Sequence, residues 1–415
     1  MRVPNITISN LTAFLTGVLA SFSVSLVGAM PVGELILLMV NFWVLLALTT
    51  TRRWPTALDD LPVAWIFLAG LAVAFCGYIV ADFYRESATR DIARGWARIV
   101  FQGLDIFAMA YLLGKSMRNV VYCAVGCAFG VLASAVLLGA LFGDMWKFGY
   151  APFVTVAALL VAGWMSRWIA VGTSFALGIL HFFMDYRAYG GFCFLIGSFL
   201  LVQALPRRVR PVVLPVFVAF GLAGIGAVYL HSRGDDVNRS DRSNLERSAM
   251  VRAAAEAFVE SPLIGHGSWF SNSNVMENFA AIRWQEAQIA HMGGFAETDG
   301  DDMALHSQIL VGLAEGGVLG GVFFVVYGLG LFWALLYCVL KQSWHRATPV
   351  YLFTLISAFW HLFLSPFSGT HRVLIALAAA FVAVLHREAR SRGHFPTFKF
   401  IRWSTTVPAS ASTAS

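Results

Sequence analysis

Chemistry in this sequence starts with a histidine. His306 stands in ALHSQILVGLAEGGVLGGVFF (304–324), directly after the acidic run ETDGDD (297–302). An imidazole changes protonation near neutral pH, so it can act as a general base toward a weak nucleophile such as a hydroxyl. At the head of a long apolar run the same residue also reads as a plain interfacial side chain. A base needs an acceptor to orient it. Asp302 at i−4 has the spacing, whereas Glu315, nine residues on, lies about 180° around a helix. The DGDD carboxylates (299–302) could hold a divalent cation, but their spacing matches no standard loop, and no metal is expected.

Arginines supply the second kind of chemistry. Arg90, Arg94 and Arg98 recur every four residues in ADFYRESATRDIARGWAR (81–98) and share one face of a helix. That face is either solvated among headgroups or a grip for an anionic lipid-linked ligand, because guanidinium forks pair well with phosphates. Arg187 lies in the short turn DYR (185–187), as a partner of Asp185, a snorkelling cation or a phosphate ligand. Arg247 and Arg252 fall on a predicted loop helix, and His266 falls in the turn GHG.

The elements that must position these residues are membrane helices. Of 415 residues, 58% are hydrophobic and 13% charged, with a mean hydropathy of +0.71. Soluble domains carry roughly 25% charged residues. Apolar runs of about 20 residues recur along the chain, the length that spans a bilayer as a helix. Backbone groups in lipid must be satisfied within each segment, and nothing here alternates like barrel strands. The fold class is therefore all-α and polytopic. Twelve spans are predicted, at about 11–30, 34–50, 61–80, 98–114, 120–142, 150–165, 168–184, 188–205, 211–230, 316–340, 349–365 and 372–387. The first is read as a retained span rather than a signal peptide. All five cysteines fall inside apolar runs, which excludes a disulfide framework or a zinc knuckle.

Charge sets the expected orientation. With both termini cytoplasmic, the inner segments hold sixteen of the 29 Lys and Arg and three acids, Asp59, Asp60 and Glu388. The segments divide into helices 1–9 (1–230), one large outer loop (231–305), helices 10–12 (306–388) and a tail (389–415). In the loop, Ser243 and Glu246 match a capping box, and Leu245, Ala249, Ala253 and Ala257 recur every four residues until Pro262 ends the helix. From Leu305 to Leu340 a continuous helix would run about 54 Å against a hydrocarbon core near 30 Å. A short interfacial helix followed by a span from about Gly317 resolves the excess, and it leaves His306 at the outer mouth. The glycines Gly312, Gly316, Gly317, Gly320 and Gly321 suit close helix packing. Asp105 is an intramembrane acid, expected to pair with Arg98 at i−7 or with a group on another span, or to serve a proton path.

His306 and Ser307, then nine residues, then Gly317 and Gly320 fit the signature H-[NSQ]-x9-G-x-x-[GTY]. That signature, the twelve spans and the one late outer loop resemble the O-antigen ligase family, within a superfamily that includes O-antigen polymerases and protein O-oligosaccharyltransferases. SPLIGHG (261–267) resembles the family's loop motif. DYRAYGGFCFLIGSFLL (185–201) is similar to a family segment in which SR opens a span, with Tyr186 in place of the usual small residue and Arg187 in the arginine position.

The resemblance implies a GT-C-like membrane glycosyltransferase at the periplasmic face of the bacterial inner membrane. Such an enzyme moves glycan from undecaprenyl pyrophosphate to a sugar hydroxyl of lipid A–core, with inversion and with no cofactor or metal. It implies His306 as base, with Arg187, Arg247 and Arg252 as ligands for the pyrophosphate. His266 is a further substrate-contact candidate, and Asp302 is the expected orienting partner. A single large outer loop favours ligase over polymerase, and the missing C-terminal extension disfavours protein O-oligosaccharyltransferase. A secondary transporter or lipid flippase would place charges near the bilayer midplane. No nucleic-acid partner is expected, and the oligomeric state is left open.

Overall fold

The computed structural model describes residues 7–25, 29–51, 58, 60–114, 116–139, 145–219, 250–270, 281, 307–365, 367 and 369–393. Among these, eight helices are long and apolar enough to cross a membrane, and four apolar helices are shorter. The protein is an all-α polytopic membrane protein. In chain order the helices are α1 (Ile8–Leu19), α2 (Val32–Thr51), α3 (Pro62–Arg85), α4 (Thr89–Leu113) and α5 (Met117–Leu138). They continue with α6 (Trp146–Met165), α7 (Arg167–Phe183), α8 (Arg187–Ala204) and α9 (Arg210–Ala219). A helix over 250–260, α10, precedes α11 (Gln308–Lys341), α12 (Thr348–Leu364) and α13 (Gly369–Ser391). Apart from α10, each matches one predicted apolar segment.

The first segment is the main departure. Instead of one span over 11–30, α1 stops at Leu19 and an antiparallel hairpin follows, β1 (Ser23–Ser25) pairing with β2 (Ala29–Pro31). Twelve helical residues reach about 18 Å, well short of the hydrocarbon core. SFSVS alternates serine with apolar side chains, a period of two that suits a strand. Summed hydropathy is blind to that alternation.

A second departure joins α3 to α4. The stretch 81–98 is not a separate interfacial helix. α3 runs to Arg85, Glu86 turns the chain in the left-handed region (φ 53°), and Thr89 starts α4, which continues to Leu113. Arg90, Arg94 and Arg98 thus occupy the opening turns of a spanning helix.

At the centre stands α13, buried continuously from Ile375 to Leu385. Alanines at 376, 378, 379, 380 and 383 let neighbouring helices approach closely. It packs on α4, α11, α3 and α5. α11 also lies along α3, where a Cβ at Gly77 would press on the Gly316 carbonyl and the Gly320 amide. All five cysteines are free thiols.

Candidate active site

α11 is two helices joined at a sharp bend, with Gly312 of the first packed against Gly320 of the second. Gly317 breaks it with φ 62° and ψ −159°, leaving a half-helix over 308–316 beside a span that starts at Val318. That backbone conformation is open essentially to glycine alone. The break falls at the residue from which the sequence placed the start of the span. Ser307 caps the half-helix, its hydroxyl accepting from the Leu310 amide at 3.4 Å. His306, the residue before it in sequence, lies outside the described residues.

A break inside a membrane protein strands backbone donors and acceptors, and these must be paired again within the protein. Here the turn after α10 does so. The His266 amide donates to Ala314 O and the Gly267 amide to Glu315 O, each at 2.9 Å, while the Val318 amide donates to Pro262 O at 2.8 Å. Close approach accounts for the glycines in PLIGHG. A Cβ at Gly265 (φ 84°) would collide with the Glu315 carbonyl, and one at Gly317 would fall on the Leu263 carbonyl. The signature and the loop motif, whose glycines Gly265 and Gly317 are 52 residues apart in sequence, form one joint. On its other side, α10 lays Ala254 and Ala257 against Val311 and Ala314 of the half-helix.

Polar side chains from α3 and α4 hold the joint from beneath. Arg85 donates through Nε to Gly265 O at 3.0 Å and through Nη2 to the Ser261 hydroxyl at 2.8 Å. The Asp82 carboxylate accepts from the Ser268 amide (2.6 Å), the Ser268 hydroxyl (2.7 Å) and the Trp96 indole (2.8 Å). Glu315 is the hub. Its Oε1 accepts from the Trp269 amide at 3.0 Å, and its Oε2 from the Tyr78 hydroxyl at 2.7 Å and from Arg98. Glu315 is 2% and Arg98 8% exposed. The guanidinium also lies between the rings of Trp269 (5.4 Å) and Phe367 (5.1 Å).

The sequence candidates divide clearly. His306, Arg247 and Asp302 lie outside the described residues. Arg187 opens α8 with Nε 3.2 Å from Asp185, at 28% and 77% exposure respectively. Beside it, Tyr186 and Tyr189 stack at 4.3 Å, and Lys147 reaches the Tyr186 ring at 6.0 Å. Arg252 is half exposed on α10 and pairs with Glu256 at i+4, 2.9 Å away. His266 is 3% exposed, and its Nε2 donates to Ala257 O at 2.8 Å, turning the ring into the protein.

Of the partners expected for Asp105, the structure favours groups on other spans over Arg98. Arg98 turns to Glu315, and Asp105 lies instead beside Glu34 and Arg372, which form a bidentate pair at 2.7 and 2.8 Å. Among the described residues no group of three His, Cys, Asp or Glu side chains is placed to hold a metal. Sequence reasoning missed Glu315, Tyr78, Asp82 and Ser268. The available signal was the charge itself: Glu315 is an acid in the middle of an apolar, glycine-rich run, and such a residue needs a partner.

Residues 173–325 match the family model described as O-antigen ligase. Over this segment the chain is similar to the O-antigen ligase family. No curated protein matches the chain. The O-antigen ligase segment begins inside α7, contains every candidate site residue and Glu315, and ends inside α11. Tyr78, Asp82, Arg85 and Arg98 fall outside it and are brought to it by α3 and α4. The match supports ligase- or polymerase-type function in general, in a multi-pass membrane protein.

Proposed function

We propose that this protein is an O-antigen ligase, transferring glycan from undecaprenyl pyrophosphate to a sugar hydroxyl of lipid A–core at the periplasmic face of the inner membrane. The acceptor oxygen attacks the anomeric carbon, the bond to the pyrophosphate breaks with inversion, and His306 takes the hydroxyl proton. The polyprenyl pyrophosphate leaves carrying the negative charge. Asp302 is the assigned orienting partner of His306. The observation that carries the reading is the joint at Gly317. There the two motifs shared with the family meet through backbone hydrogen bonds, and His306 directly precedes the capped half-helix.

Burial sorts the arginines. Arg98 is committed to Glu315, and leaving it would strand a buried carboxylate at a cost of several kcal/mol. Arg187 and Arg252 pair with exposed acids, and such pairs are worth about 0–1 kcal/mol. A diphosphate, with more charge and better fork geometry, displaces those acids readily. Arg187, Arg252 and Arg247 are therefore the assigned ligands of the pyrophosphate, while His266 supports the turn after α10. Arginines meet the growing charge directly, so the reading needs neither a metal nor a nucleotide.

Replacing His306 with Ala in cells lacking the native enzyme tests this. Lipid A should lose its surface glycan while polymerised lipid-linked glycan persists. Transfer in vitro should also fall as pH drops through the imidazole range near ~6.5, because the base must be neutral. Normal ligation in His306→Ala would end the base assignment. Lipid-linked chains stuck at one repeat would make the enzyme a polymerase.

A further inference from the structure

Glu315 sits inside the nine-residue spacer of the signature, where the pattern specifies nothing, and yet its carboxylate accepts three hydrogen bonds in the joint. Its two carboxylate oxygens serve different parts of the molecule. Oε1 holds the turn through the Trp269 amide, while Oε2 holds α3 through Tyr78 and α4 through Arg98. A carboxylate fixed at both oxygens from three directions cannot turn. Stability alone does not explain such a group, since a buried ion pair is commonly matched or bettered by apolar side chains of the same size.

Geometry does explain it. A continuous helix inherits its direction from the span below, but the break at Gly317 removes that inheritance. The half-helix 308–316 must take its orientation from lateral contacts. The turn supplies two backbone bonds to it, α10 supplies an apolar face, and Glu315 supplies its only charged link to α3 and α4 among the described residues. At the head of this half-helix stands His306.

We propose that Arg98 and Glu315 are positioning residues. Together with Tyr78 they lock the half-helix and the turn 261–270 in one orientation, and so set where the imidazole of His306 meets the acceptor hydroxyl. The inference rests on His306 being the base. An angstrom of misplacement at a reacting group is enough to cost roughly 100-fold in rate.

The test uses purified full-length protein in liposomes, with transfer and thermal unfolding both measured. Arg98→Met and Glu315→Gln should lower kcat about 10- to 100-fold with the KM for donor within about twofold. Arg98→Lys should recover part of the rate, since it keeps the charge but not the fork. The deciding variant is Arg98→Met combined with Glu315→Leu, which leaves no buried charge unpaired. It should regain thermal stability and remain slow. Full recovery of kcat in the double variant would reduce the pair to packing. A raised KM with unchanged kcat would make Arg98 a substrate ligand and overturn the proposal. Hydrogen exchange separates this proposal from the reading beneath it. In Arg98→Met the amides of His266, Gly267 and Trp269 should exchange faster whether or not His306 is the base. Unchanged exchange there would overturn the lock itself, and transfer by His306→Ala would overturn only the base.

Discussion

At the end of the bundle away from the turn, Arg210 reaches across helix ends. It donates to the carbonyls of Leu205 (2.9 Å), Gln203 (2.7 Å), Val339 (3.2 Å) and Leu340 (3.3 Å), and Arg387 nearby donates to Gly114 O. At the turn end, Arg98 and Arg372 meet buried carboxylates instead. The two ends solve different problems with one residue type. A helix C-terminus leaves four carbonyls unpaired and carries partial negative charge, so an arginine there satisfies several acceptors without needing an acid. A buried Arg–Glu pair desolvates two charges to make one fixed contact. The first arrangement follows from backbone chemistry and implies nothing about function. The second is costly, and a costly contact beside broken backbone points to a site.

The strongest blow to this contrast should come from Gly317→Val. The backbone there is open essentially only to glycine, and the added side chain would displace the Leu263 carbonyl. Transfer should fall to the level of His306→Ala, with the turn 261–270 exposed to protease. Retention of both would show that the joint is dispensable.

Next in size is Arg372→Met, which strands Glu34 in the interior at a cost of about 3–5 kcal/mol. This change sharpens the comparison between the two turn-end pairs. Glu34 and Arg372 touch neither the turn nor the half-helix in any hydrogen bond among the described residues, so folded Arg372→Met protein should keep its kcat while its unfolding temperature drops. A selective loss of kcat would merge the two pairs into one site. The smallest effect belongs to Arg210→Ala. Its bonds to the Gln203 and Val339 carbonyls are buried, so the expected cost is about 1–3 kcal/mol of stability with transfer unchanged. A large loss of transfer would break the distinction between the ends.

Where sequence reasoning succeeded and failed follows from the range of the interactions. The helix break at Gly317 was legible because it is an argument about length. The strand character of SFSVS was present in its period but hidden by its hydropathy. For Asp105 spacing offered Arg98 on the same helix, or a group on another span that the sequence could not name; Arg98 pairs with Glu315, 217 residues away, and Asp105 lies beside Glu34 and Arg372. Glu315 was set aside because it faces away from His306. That same half-turn directs it at α3 and α4.

By itself the sequence determined an all-helical membrane protein, the positions of its apolar segments and the family signature, because bilayer thickness and helix rise convert composition into architecture. Tertiary structure alone decided which buried charges pair, and that PLIGHG and the signature glycine form one joint. Those contacts join residues far apart in the chain through backbone groups, and no side-chain pattern records them.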